Sequence, residues 1–310
     1  MKLLWRESIC KYSEGERCTF YNFYEKPFLS GDKAVWFHDF LTETYENVFS
    51  ASVFDLKSGV HERFSIKFKK GKGVPVAHCW KITERDGGYF IDPYRYYRVI
   101  PSMVAVMKDG KLEFVPKKEE DTRVRTCLFF DGKTIEKTPP SAVTANKMYS
   151  DQKVFEFGNL RVKIAKNATR KLECTNLETG KTLWTFTFIG YLYTDVFEYD
   201  GIIYFGTAGQ GGRFYGLNLL SGEVLHEINT HGTTRFTRHN GKFYFPAAGG
   251  ELQEYDPESK TSQYLSFGKN TRAIDEVSML VANGNLYAVV TEKILKNHEA
   301  YDFSLACVQI

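Results

Sequence analysis

Through most of this chain apolar and polar residues alternate with a period of two, in short runs broken by glycine-containing turns. The runs "EYDGIIYF" at 198–205, "RHNGKFYF" at 238–245 and "VANGNLYA" at 281–288 each place Asp-Gly or Asn-Gly between two such segments. "LSGDKAVWF" at 29–37, "MKDGKLEFV" at 107–115 and "EFGNLRVKI" at 156–164 are variants. Asp-Gly and Asn-Gly tolerate the positive φ of a tight turn, so each run predicts a β-hairpin. No window of about 12 residues holds an apolar period of 3.6, so no helix is predicted.

A second mark falls between the first. "LECTNLETGKTLWTF" at 172–186 and "FYGLNLLSGEVLHEI" at 214–228 both read as strand, Asn, a Gly four residues later, and strand. "VFDLKSGVHERF" at 53–64 repeats it; "YFIDPYRYYRV" at 89–99, "LFFDGKTIEK" at 128–137 and "QEYDPESKTSQY" at 253–264 are looser copies. The Asp or Asn positions are 55, 92, 131, 176, 218 and 256. Two hairpin signals per unit mean four strands, in the clearest unit 195–199, 202–207, 213–218 and 223–228. A four-stranded sheet every ~40–45 residues is the signature of a β-propeller blade. The expectation is an all-β, seven-bladed propeller of antiparallel blades, a single domain over 1–310. The blades fall near 24–66, 72–99, 101–138, 150–187, 194–228, 234–267 and 275–310.

The last unit ends at "FSLACVQI", which matches a third strand and lacks a fourth. "MKLLWRES" at the start aligns on "GKTLWTF": Lys2 with Lys181, Leu4 with Leu183, Trp5 with Trp184. Residues 1–8 are therefore expected as the outer strand of the last blade, closing the ring and burying Leu3, Leu4 and Trp5.

These units resemble the pyrroloquinoline-quinone-like (quinoprotein alcohol dehydrogenase-like) propeller repeats. The likeness rests on "YDGIIYFGTAGQGGRFYGLNLLSGEVL" and "CTNLETGKTLW" and is best over about 160–290. It implies a propeller fold, not an activity. Quinone-dependent members use an adjacent Cys-Cys disulfide, a channel Trp and an acid-bound calcium. This chain has no Cys-Cys pair and is short for their eight-bladed domain. The resemblance therefore implies a non-enzymatic, scaffold-type member, with no cofactor and no metal.

The 310 residues are 43% hydrophobic, 15% aromatic and 25% charged, with a net charge of +3. That charge gives no reason to expect nucleic acid or a membrane as partner. The six cysteines are scattered, without a C-x-x-C pair or metal-ligand spacing. No export signal or long apolar run is legible, so free thiols and a cytoplasmic location are expected.

In such a propeller the loops between blades and those from second to third strand share one face, where partners commonly bind. "FHDF" at 37–40 puts His38 and Asp39 at the loop end of a second strand. Adjacent strand residues point to opposite sides, so they form no dyad with each other; a rim histidine beside a solvated or turn-forming aspartate is the ordinary reading. "YTD" at 193–195 contributes Tyr193 and Asp195, "NTHGTTR" at 229–235 His231 and Arg235, and "NTRAIDE" at 270–276 Arg272 and Asp275. Asp195, Arg235 and Asp275 open consecutive inner strands, and an inter-blade salt-bridge ring is the plain alternative to a ligand site. "TAGQGGR" at 207–213 lacks phosphate-loop spacing and precedes no helix. The lysine run "KFKKGKG" at 67–73 reads as a solvated loop. The aromatic clusters at 19–28 and 92–98 fit either interface or strand packing.

The sequence favours a non-catalytic scaffold that presents one propeller face to another protein, one version being a cover for a toxin or effector. The alternative is an enzyme acting on a glycan or small molecule at the channel mouth, with His38, His231 and Asp275 as catalytic candidates.

Overall fold

The computed structural model describes residues 1–17, 27–44, 46–68, 80–85, 87–93, 103–108, 111–116, 127–138, 154–165, 168, 170–209, 211–230, 235–274, 279–294 and 300–310. Apart from a 3-10 turn at Tyr12–Glu14, their regular structure is all β. Among them no helix is long and apolar enough to cross a membrane.

The chain opens with β1 (Lys2–Cys10) and then makes sheet I from β2 (Phe28–Ser30), β3 (Lys33–Leu41), β4 (Asn47–Asp55) and β5 (His61–Phe68). Sheet II comprises β6 (Trp80–Arg85), β7 (Gly88–Pro93), β10 (Cys127–Phe130) and β11 (Ile135–Thr138). Between β7 and β10 runs a separate two-stranded hairpin, β8 (Met103–Lys108) and β9 (Lys111–Pro116). Sheet III holds β12 (Val154–Phe157), β13 (Leu160–Ile164), β14 (Lys171–Asn176) and β15 (Thr182–Thr187). Sheet IV holds β16 (Tyr191–Leu192), β17 (Phe197–Tyr199), β18 (Ile202–Ala208), β19 (Arg213–Asn218) and β20 (Val224–Asn229). Sheet V holds β21 (Thr237–His239), β22 (Lys242–Pro246), β23 (Leu252–Asp256) and β24 (Thr261–Leu265). Sheet VI holds β25 (Thr271–Ala273), β26 (Leu280–Ala282), β27 (Asn285–Lys293) and β28 (Tyr301–Gln309), with β1 added beside β28. All these pairings are antiparallel, and the architecture is propeller-like.

The turn chemistry is as the sequence predicts. Asp200, Asn240 and Asn283 take positive φ before Gly201, Gly241 and Gly284. The second mark is an Asx turn: Asn176 Oδ1 accepts the N–H groups of Glu178 and Thr179, and Asn218 Oδ1 those of Leu220 and Ser221. Asp55, Asp131 and Asp256 do the same in sheets I, II and V. Asp92 lies inside β7, paired with Lys81, and not in a turn between strands. Residues 72–99 and 101–138 are therefore not two units. Their strands combine into sheet II around the inserted β8–β9 hairpin, which displaces the repeat spacing. The described residues form six sheets of four or five strands and one hairpin, rather than seven four-stranded units.

Among the described residues, apolar faces bury between sheets VI and I, I and II, III and IV, IV and V, and V and VI. Trp36, Phe40, Val48 and Phe54 of sheet I share a core with Tyr287, Val289, Phe303 and Leu305 of sheet VI. Their neighbours Phe37, Phe49 and Val53 meet Tyr89, Ile91, Leu128 and Phe130 of sheet II. Further cores join III to IV, IV to V and V to VI. Strand period two makes this possible, since one strand serves both neighbours.

The opening strand occupies the predicted place. Trp5 pairs with Cys307 and Trp184 with Cys174, and the residue before each tryptophan is an extra, bulged one. Those bulged residues, Leu4 and Leu183, are each 45% exposed, so Leu4 is not buried as expected. Each indole lies on a glycine of the following sheet's turn between third and fourth strands. A Cβ on Gly59 would come 3.1 Å from Trp5, and one on Gly222 2.7 Å from Trp184. The Trp184 Nε1–H donates to Leu219 O at 2.8 Å.

Gly222→Ala should therefore cost roughly 2 kcal/mol or more, from left-handed backbone plus displacement of Trp184. Gly201 has similar φ but nothing within 4 Å of its would-be Cβ. Gly201→Ala should cost only about 1 kcal/mol, the conformational part. Urea unfolding of both separates the terms, and equal losses would discount the indole contact.

Candidate functional site

His38 and Asp39 are not on the rim. Strand β3 continues to Leu41, paired with Asn47, so both residues lie within the strand, at 0% exposure. By strand alternation His38 shares a face with Trp36 and Phe40, Asp39 with Val35 and Phe37. The two do point apart, as expected. The His38 Nε2 is 2.9 Å from Ser52 Oγ, and its ring stacks near Phe40. Burial, reinforced by the Arg63 charge, pushes the His38 pKa down to about 3, so the ring is neutral.

Arg63 lies over the Phe40 ring at 5.3 Å, donates to Ile9 O at 3.0 Å and pairs with the buried Glu16. Glu16 also accepts the Lys11 N–H at 3.1 Å. His61 stacks on Phe54 with centroids 4.4 Å apart, and burial lowers its pKa too. These groups fasten the segment after β1 to sheet I. His38, Asp39 and Glu16 are buried, while Arg63 and His61 reach the surface of this sheet junction.

The inner edges of sheets IV and V differ. In sheet IV the innermost strand is in two pieces, β16 and β17, both paired with β18. Residues 193–196 leave the sheet between them. Tyr193 N–H and Thr194 N–H both donate to Gly206 O, while Gly206 N–H donates to Thr194 Oγ1 at 2.8 Å. This ties down an excursion whose tip is the exposed Asp195. Sheet VI breaks its inner strand in the same way, between β25 and β26.

Arg235, two residues before β21, places its guanidinium 4.9 Å from the Tyr193 ring centroid. Tyr191 packs edge-on to Tyr193, and Phe197 to Phe236. Tyr191 is 53% exposed, Ile189 43% and Phe197 40%. The would-be Cβ atoms of Gly209 and Gly211 lie 3.5 Å from Tyr191 and 3.1 Å from Ile189, so the loop from 207 to 213 supports both. The connection between sheets and the loop from second to third strand thus meet on one face. Arg235, Tyr193 and Tyr191 form one partly exposed chain of contacts there, with Arg–π attraction between the first two, while Phe197 packs on Phe236 at the edge of the core between sheets IV and V.

Of the predicted residues, the structure brings Tyr193 and Arg235 into contact and leaves Asp195 exposed on the same excursion as Tyr193. Arg272 is exposed in sheet VI, its stem against Gly250 of sheet V. His231 and Asp275 lie outside the described residues, as do 19–26 and 94–98 of the aromatic clusters. The sequence reading missed Ile189, Tyr191, Phe197 and Phe236. The alternation in "YLYTDVF" was the available signal, hidden because a broken inner strand reads like an unbroken one.

Among the described residues, no three His, Cys, Asp or Glu side chains are grouped to hold a metal ion. Cys10, Cys174 and Cys307 are buried free thiols.

No family model matches the chain, and no curated protein matches it in sequence. Among solved structures it is similar to the computationally designed Ika8 protein, at 12% identity and TM-score 0.37, over 92% of this chain and 70% of that one. The computationally designed Ika4 protein gives 13% and 0.35 over 46% of this chain and 88% of that one. BamB from Moraxella catarrhalis gives 13% and 0.33 over 92% and 69%. These likenesses are distant.

Proposed function

We propose that this protein is a non-catalytic interaction scaffold that binds another protein through the face carrying Tyr191, Tyr193, Phe197 and Arg235. The observation that carries this reading is the exposed Tyr191 packed on Tyr193, with the Arg235 guanidinium over the Tyr193 ring. Tyr and Arg dominate the binding energy of protein interfaces because they bury large area at small entropic cost and still hydrogen-bond. The excursion at 193–196 is tied to Gly206 by three hydrogen bonds, so it pays little ordering entropy on binding.

The scaffold itself is, in this reading, one closed ring of six sheets related to the pyrroloquinoline-quinone-like propellers. The core between the last sheet and the first, and the pairing of β1 with β28, support closure. The turn marks and the matched Trp5 and Trp184 support the relationship. The buried free thiols fit a reducing, cytoplasmic setting.

The double variant Tyr191→Ser, Arg235→Ala tests the reading. Each truncation is expected to cost more than ~1 kcal/mol of binding, so together they weaken partner capture from native-host lysate by tenfold or more. Thermal unfolding should stay within a few degrees of wild type, because Tyr191 is exposed and Arg235 half-buried. Undiminished capture of the same partner by the folded double variant would remove this face from the proposal.

A further inference from the structure

Strand period two puts His61 and Arg63 on the same face of β5, and both meet the end of β1. Arg63 donates to Ile9 O at 3.0 Å and pairs with Glu16, while His61 lies against the backbone of Ser8. From Cys10 the chain continues as a strap over residues 11–17. Its Tyr12 N–H donates to Asp302 Oδ1 of β28 at 2.8 Å, and Arg17 exchanges backbone hydrogen bonds of 2.8 and 3.1 Å with Leu41 of β3. The strap therefore ties sheet VI to sheet I. Under it the Cys10 thiol, 1% exposed, donates to Glu16 O at 3.7 Å.

His61 is the weak point of this fastening. Its ring is half-buried and stacked on Phe54, yet its Nε2 is enclosed and has no hydrogen-bond partner. A neutral ring can carry its proton on Nδ1, but the charged ring must place a second one on Nε2, where nothing accepts it. The groups facing the ring are Arg63 on β5, Glu7 and the Ser8 backbone on β1, Glu16 on the strap, and His38 across the junction. Arg63 repels the proton. Glu16 is already held by Arg63 and the Lys11 N–H, and Glu7 is exposed, where attraction is weak. Burial and Arg63 outweigh the two carboxylates, so the His61 pKa is lowered.

We propose that the strap is an acid-opened latch: protonation of His61 frees residues 9–17 from sheet I and uncovers Cys10, while the sheets stay folded. The register of β1 against β28 already shifts between Ser8 and Cys10, so this end separates without disturbing the pairing from Lys2 to Ser8. Once the strap lifts, His61 meets water and takes up a proton near its ordinary 6.5. The closed form binds that proton less well, so the open form gains as pH falls below this value. The latch does not depend on the binding face at Tyr193 and Arg235.

The test is labelling of the Cys10 thiol in the full chain by a dipyridyl disulfide, between about pH 7.5 and about pH 5.5, above the range in which exposed carboxylates titrate. Each rate is divided by that of the urea-unfolded chain at the same pH, which removes the pH dependence of the thiol itself. Peptide mass mapping separates Cys10 from Cys174, which is buried between sheets III and IV and reports global unfolding. Cys10 is expected to label at least tenfold faster than Cys174 at every pH, as a local opening requires. Its normalised rate should rise about three- to tenfold on acidification, tenfold being the ceiling for one proton taken up near pH 6.5. In His61→Gln the rise should vanish. In His38→Gln it should persist, because His38 lies inside the core and not under the strap. Circular dichroism checks that both variants are folded. A flat Cys10 rate, or Cys10 and Cys174 labelling at the same rate, overturns the assignment. So does a rise that survives in folded His61→Gln, or one lost in folded His38→Gln.

Discussion

A chain lacking residues 1–10 should lose cooperative folding, or melt at least ~10 °C below the full protein, and aggregate on heating. Strand β1 pairs with β28 along its length, from Lys2–Gln309 to Cys10–Phe303. Removing it takes Ile9 and Cys10, 2% and 1% exposed, out of the core between sheets VI and I. It also takes Trp5 off Gly59 and Tyr287, and frees Glu292 from Arg6. At ~1.5–3 kcal/mol for each fully buried apolar side chain, the loss is roughly 5 kcal/mol, comparable to a domain's whole margin. The edge left bare is Tyr301–Gln309, whose apolar residues would face solvent as an unprotected strand. Differential scanning calorimetry of the truncated chain, with and without a synthetic peptide of residues 1–12, reads this directly. The peptide should restore part of the lost stability. A truncated chain that melts like the intact one would mean that β1 contributes little to closing sheet VI.

Acid should destabilise the protein through His38. In the fold its pKa is about 3, whereas the unfolded chain takes a proton near 6.5. Below pH 6.5 the unfolded state therefore binds one more proton than the native state, and stability falls as pH falls. The loss continues to pH about 3, where the native ring protonates as well, and amounts to roughly 4 kcal/mol as an upper figure. His61 shifts in the same direction for the same reason, burial, with Arg63 adding to both. Replacing His38 by Gln keeps a partner for Ser52 Oγ and removes the titration. Urea unfolding at steps from pH 7 to pH 4 should show a slope smaller by about one proton in His38→Gln than in wild type. Equal slopes would mean that the native ring titrates normally and is not enclosed between sheets I and VI.

What could be read ahead of the structure was local. Asp200-Gly201, Asn240-Gly241 and Asn283-Gly284 need only their own backbone preferences to turn, and they turn as read. Asn176 and Asn218 close Asx turns with residues two and three positions on, again a local matter. Asp92 misled because "DPYR" has turn composition while its pairing with Lys81 is made by a neighbouring strand. The hairpin of β8 and β9 carries the same Asp-Gly signal as the first hairpin of a unit. Nothing within it tells that it is inserted between β7 and β10 instead of opening a sheet. His38 misled for a related reason. "FHDF" alternates in a manner that suits a strand end, and only the pairing of Leu41 with Asn47 extends β3 beyond it.

By itself the sequence determined the all-β character, the hairpin turns, the fourfold strand grouping and the place of Trp5 in its sheet, equivalent to that of Trp184. All of these follow from period-two alternation and backbone preferences that act over a few residues. The tertiary structure alone decided how many sheets the strands make, which faces are shared, and that His38 is enclosed while Tyr193 lies under Arg235. Those depend on contacts between residues far apart in the chain, whose energies come from burial and pairing in space and leave no mark in the local pattern.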